Sequence, residues 1–159
     1  MKSLEEVVNT ASAVEIRLRV NTEALSQVVE RSGDQLFHTP LLAFAVLAVI
    51  RSRKDGLAIS DTATWVLATL IRQFEPLRLS RGRIQWSVAL RRRCADAIVL
   101  LENVGLATVR EAPMRRVYVS EQGRTFVGAL VRSADEAGVL MRELQRAHHA
   151  VQQQGLELL

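Results

Sequence analysis

The sequence predicts a mainly α-helical protein with one small β-hairpin and extra helices at its N- and C-terminal ends. Three observations carry this expectation. The 159 residues include only 3 prolines and 8 glycines, and helix formers dominate. Apolar residues recur at helical spacing over most of the chain, while Leu106–Arg110 and Arg116–Val119 have strand character on either side of a short turn. The composition, 48% hydrophobic and 24% charged, is that of a folded globular chain long enough for one core.

Ser3 with Glu6 makes a capping box for a first helix. Val14–Val20 alternates apolar and charged residues and reads as strand or as continued helix. Asn21 or Thr22 caps a short helix that stops at Gly33, so residues 1–38 are expected to form an N-terminal helical arm. Thr39–Pro40 then starts a helix, because proline lacks an N–H that the first turn does not need. From Leu41 to Ile50 this helix is apolar on every side, which places it inside the core. Its ten residues are about half of the roughly 20 that a membrane-spanning helix requires. Arg51, Arg53 and Lys54 suit the negative end of the helix dipole, and Gly56 suits a left-handed cap. Leu57, Ala58 and Ile59 form a short strand-like bridge, and Ser60 with Asp61 caps a helix carrying Trp65, Val66, Leu70 and Ile71 that ends at Pro76.

Ser80 or Gly82 opens a further helix reaching about Val104. Its core face is Trp86, Leu90, Cys94, Ala97, Leu101 and Val104, and Arg91, Arg92 and Arg93 fan across the rest of its circumference with Gln85. Gly105 breaks that helix, and Glu111–Arg115 joins the two strands into a hairpin with a basic tip. Ser120 caps a last helix. Along it Leu130, Ala134, Ala137, Met141, Leu144, His148 and Val151 recur at alternating spacings of three and four, a heptad seam expected to form a dimer or partner surface.

The charge is unevenly placed. Between Arg51 and Arg93 lie 10 basic residues and 3 acidic ones, although the whole chain carries only +4, so the flanks are slightly acidic. A basic centre of this kind suits a polyanionic partner. The single cysteine, Cys94, excludes an internal disulfide and every Cys-pair zinc motif, and a reducing cytoplasm is the expected location. On the apolar stripe of its helix this thiol reads as a small buried hydrophobe rather than an oxidant sensor. His148 and His149 point about 100° apart on a helix and cannot share a metal without a third ligand. No catalytic set, phosphate-cradling loop or paired-carboxylate motif is visible, so neither an enzyme nor a cofactor is expected.

The order helix, short strand, helix, basic helix, hairpin is that of a winged helix-turn-helix. Within it, Arg91 to Arg124 resembles the recognition helix and wing of the MarR and PadR bacterial transcription regulators. The likeness rests on Leu101, Glu102, Gly105 and Leu106, on the basic wing at Arg115 and Arg116, and on the strand running into Ser120, Gln122 and Gly123. It covers about a fifth of the chain closely and everything from Thr39 onward loosely. It implies a winged-helix domain over residues 39–124, with residues 125–159 as a C-terminal dimerisation or partner helix. It also implies a DNA-binding regulator or DNA-associated adaptor that acts as a homodimer away from any membrane. The expected nucleic-acid contacts are Arg81, Arg83, Gln85, Arg91, Arg92, Arg93, Arg115 and Arg116, mostly to phosphate, with Gln85 able to read an adenine edge. The rival expectation is a winged-helix interaction subunit of a chromosome-maintenance or phage-defence complex, in which the arginines meet an acidic protein partner. The long segment from Glu75 to Trp86 and the undistinguished first 38 residues point toward that rival, while an arginine opening of the recognition-type helix suits backbone contact more than base reading.

Overall fold

A computed structural model describes residues 39–73 and 88–155. The expected N-terminal arm, the start of the basic helix, and the residues Arg81, Arg83, Gln85 and Trp86 lie outside the described residues. The elements run in the order α1 (Thr39–Arg51), β1 (Leu57–Ala58), α2 (Ile59–Gln73), α3 (Val88–Asn103), β2 (Ala107–Arg110), β3 (Arg116–Val119), α4 (Glu121–Arg132) and α5 (Glu136–Gln154). The described part is therefore mainly helical, with one small antiparallel sheet.

That sheet has the strand order β1-β3-β2. Leu57 and Ala58 pair with Val117 and Arg116, and Ala107–Arg110 pairs with Val119–Arg116 in reverse. The second strand has the bounds its sequence suggests, the first starts one residue later than expected, at Ala107, and the loop contains a cis Ala112–Pro113 peptide. Strand alternation sends Val117 and Val119 into the core and leaves Arg116 and Tyr118 on the outer face.

Helix α1 is the centre of the molecule. Every residue from Leu41 to Ile50 is at most 2% exposed, because α3, α5, α2 and β3 all pack around it. A helix surrounded on all sides needs no polar face, and this one has none. It ends at Arg51, and the chain turns through Gly56 at φ 69° into β1.

The C-terminal region departs from expectation. In place of one helix from Ser120 there are two, separated at residues 133–135. The break has a local cause: the Asp135 carboxylate accepts the Gly138 N–H at 2.9 Å and caps a new helix, while Arg142 Nη1 donates to the Val131 carbonyl at 2.9 Å and the Ser133 carbonyl at 2.6 Å. The heptad seam is consequently not a partner surface. Leu130, Ala137, Met141, Leu144, His148 and Val151 are all at most 4% exposed, and Ala134 stands exposed in the break. Helix α5 lays its seam against α2 and α1 of its own chain. Side chains from α4 and α5 belong to the same core as α1, so no packing boundary falls at residue 124.

Candidate nucleic-acid interface

The core face of α3 follows from its spacing: Leu90, Cys94, Ala97, Ile98, Leu100 and Leu101 are buried. Arg91 and Arg92 are exposed, as expected of residues off that face. Arg92 stands between Val88, 80% exposed, and Val99, 53% exposed, on the most outward stripe of the helix. Arg93 lies on the shoulder nearer the core and pairs with Asp96 at 3.7 Å.

The C-terminal end of α3 is tied to the hairpin. Gly105, at φ 77°, turns the chain, and the Ser120 hydroxyl donates to its carbonyl at 2.6 Å while accepting the Gly123 N–H at 2.9 Å. Leu106 fills the core at 3% exposure. The Glu102 carboxylate accepts the N–H of Val109 at 3.1 Å, satisfying a backbone donor on the edge strand β2. Arg91 is on the same side of α3 as Glu102, about 16 Å back along the axis at 1.5 Å per residue. One flank of the basic helix and the hairpin are thereby held on a common side.

On the hairpin, Arg115 is exposed at the tip and its Nε donates to Glu111 at 3.2 Å. Arg116 is half-buried, and its Nε is shielded with no hydrogen-bond partner among the described residues. Arg110, opposite Arg116 in the register, stacks its guanidinium 4.5 Å over the Tyr118 ring. Arg53, in the turn after α1, stacks 4.1 Å over Trp65 and likewise leaves a buried Nε without a partner. Burial pushes the Arg53 pKa down, Asp61 opposes this, and the neighbouring charge of Arg116 adds to it.

Of the expected contacts, the structure thus brings Arg91 and Arg92 to the open face of α3 and Arg115 and Arg116 to the hairpin, with Arg93 and Arg115 each already paired to an acid. Sequence reasoning counted Arg53 in the basic centre but left both Arg53 and Arg110 out of the expected contacts. Arg110 was recoverable, since counting back from the turn pairs it with Arg116. Arg53 carried no such signal, because its turn is folded against β3 only in three dimensions.

Two further expectations have structural answers. Cys94 is 2% exposed and burial pushes its thiol up to about 12, which keeps it protonated and inert. His148 meets the Trp65 ring edge-on at 5.7 Å and places Nδ1 3.3 Å from Thr69 Oγ1. Among the described residues, no group of three or more His, Cys, Asp or Glu could hold a metal ion, and no helix is long and apolar enough to cross a membrane. A cleft of about 220 Å³ between the end of α1 and α5, lined by Arg51, Ser52, Gln145, His148 and Gln152 among others, is smaller than the sites that usually take drug-sized ligands. No family model matches the chain, and neither the curated proteins nor the solved structures gave a match.

Proposed function

We propose that this chain is a winged-helix protein that binds DNA, as a transcription regulator or DNA-associated adaptor of the cytoplasm, and that it acts by binding rather than catalysis. The observation that carries the reading is the joining of α3, with Arg91 and Arg92 on its open face, to a hairpin carrying Arg110, Arg115 and Arg116, through the Glu102–Val109 hydrogen bond. The element order α1-β1-α2-α3-β2-β3, with strand order β1-β3-β2, supports the winged-helix assignment. In this reading α3 lies against the major groove and the hairpin beside it grips an adjacent phosphate backbone. A homodimer on a two-fold site belongs to the same proposal, through surface other than the seam, whose side chains are buried within the protomer.

Affinity for a random DNA duplex, measured by fluorescence anisotropy over a salt series, tests this. Contacts by about five arginines predict a slope of log K against log salt near −4 to −5. Replacing Arg91, Arg92 and Arg93 with Ala is expected to remove most of the affinity while leaving the folded circular dichroism spectrum unchanged, since Arg91 and Arg92 are exposed and Arg93 sits on the shoulder of the helix. Wild-type-like affinity in the folded triple variant overturns the assignment of α3.

One observation favours a second reading. Val88 and Val99 flank Arg92 on the open stripe of α3, an apolar pairing suited to docking a protein more than a phosphate backbone. An interaction subunit of a larger complex predicts no duplex binding even at low salt.

A further inference from the structure

Helix α3 carries a stripe opposite its core face. At 100° per residue Val88, Arg92, Ala95 and Val99 fall within about 60° of arc, facing away from Leu90, Cys94, Ala97 and Leu101. All four are exposed, and Val88 and Val99 are two of the three large apolar side chains left exposed among the described residues. Along the same helix the charge changes sign. Arg91 and Arg92 lie toward the N-terminal end, Asp96 and Glu102 follow toward the C-terminal end, and all four are exposed. Arg91 and Glu102 stand on one flank of the stripe, about 20° apart in arc. Neither Arg91 nor Arg92 enters an ion pair among the described residues, and Glu102 uses only Oε1 on the Val109 N–H.

A helix face that is basic at one end, acidic at the other and apolar between them complements its own reverse. A two-fold axis across it brings the same flank of both copies together with the ends exchanged. Setting Arg91 against Glu102 of the second copy centres the pair between Asp96 and Ala97. The same centre sets Ala95 against Val99 of the second copy to within one residue, about 1.5 Å of rise. Arg92 then falls between Val99 and Glu102 of the second copy. A parallel pairing would instead set arginine beside arginine, where like charges repel. We propose that α3 pairs antiparallel with α3 of a second copy, with Ala95 and Val99 in the contact and two Arg91–Glu102 pairs on its flank. The contact is small. Its 16 residues give a face about 24 Å long and about 10 Å wide, well under the roughly 1,200 Å² at which stable interfaces begin. The pair is therefore weak and reversible, with a Kd above about 1 μM. It rests on the DNA-binding reading only for its consequence, that the free protein covers its own recognition surface and a duplex must displace the second copy. The homodimer on DNA uses other surface, because α3 cannot lie in a groove and on a second copy at once.

Sedimentation equilibrium of the full chain without DNA, from about 10 μM to about 1 mM, tests the pairing. A monomer–dimer equilibrium is expected. Arg91→Glu and Glu102→Arg each set like charges together twice, and each is expected to weaken the dimer about 10-fold or more. An equimolar mixture of the two variants is expected to restore it, because each copy then meets the opposite charge at both pairs. Glu102→Gln keeps an acceptor for the Val109 N–H and is expected to weaken the dimer about 3-fold with an unchanged circular dichroism spectrum, which keeps the test decisive if Glu102→Arg does not fold. A chain that stays monomeric, a dimer indifferent to Arg91→Glu and Glu102→Gln, or a mixture no stronger than its folded components overturns the pairing. Charge-dependent dimers in a chain without duplex affinity leave the pairing standing and overturn the DNA-binding reading. Duplex affinity in a chain that stays monomeric does the reverse.

Discussion

His148 is a basic side chain enclosed on all sides. Thr69 donates its only hydroxyl hydrogen to the Trp65 carbonyl at 2.9 Å, so toward His148 it acts as acceptor and the imidazole carries its proton on Nδ1. Burial, and then the charges of Arg53 and His149, lower the pKa of this ring from 6.5 to about 4. Between those values the unfolded chain binds a proton that the folded chain does not. The resulting stability is therefore complete above pH 6.5 and declines as the pH falls toward 4. By linkage the decline is about 2 kcal/mol at pH 5. In urea unfolding at pH 7 and pH 5, His148→Gln is expected to lose that much less stability than the parent over this interval, and equal losses in the two proteins would contradict a buried neutral imidazole. Cys94 gives a second residue-scale prediction. A thiol 2% exposed and pushed up to about 12 should not react with a disulfide reagent at pH 8 in the native protein, and should react at once in denaturant. Rapid native labelling would show that α3 opens readily.

Helices α4 and α5 show how local chemistry overrode a periodic pattern. The three-four spacing from Leu130 to Val151 is continuous through Ala134, and on that pattern alone one helix follows. Yet Ser133 and Asp135 are residues whose short side chains compete for backbone groups, and Asp135 begins a new helix by taking the Gly138 N–H. Asp135→Ala is expected to cost about 1 kcal/mol, measured as a shift of the unfolding midpoint in urea. The cost arises because the N-terminus of α5 would lose its acceptor, and no shift would mean that Arg142 and packing alone hold the break. The Arg91 to Arg124 segment behaved oppositely, since several of its residues have tasks set within a few positions of chain. Leu101 and Leu106 are core, Glu102 secures the free edge of β2, Gly105 reverses the chain, and Gly123 lets the start of α4 lie directly on the Leu106 carbonyl.

For the whole molecule, the buried helix α1 decides what counts as a domain. Because α5 and α4 supply Leu130, Met141 and Leu144 to the core that contains α1, the C-terminal helices complete the fold rather than extend from it. A chain ending after Arg124 is accordingly expected to lose cooperative thermal unfolding, read by far-UV circular dichroism, and a folded truncated chain would restore the boundary expected from sequence. Much of the architecture was legible beforehand. Proline and glycine marked the start of α1 and its end, apolar spacing marked the faces of α2 and α3, and strand character marked both arms of the hairpin. These are local signals, written within one or two turns of chain. The sequence by itself therefore determined the order of elements from α1 to β3, the central place of α1, and the exposure of Arg91 and Arg92. Only the tertiary structure decided where the seam of α5 goes and what the turn after α1 meets. An apolar stripe is the same whether it packs on its own chain or on another, and Ala58 and Arg116, far apart in the chain, meet only once β1 pairs with β3.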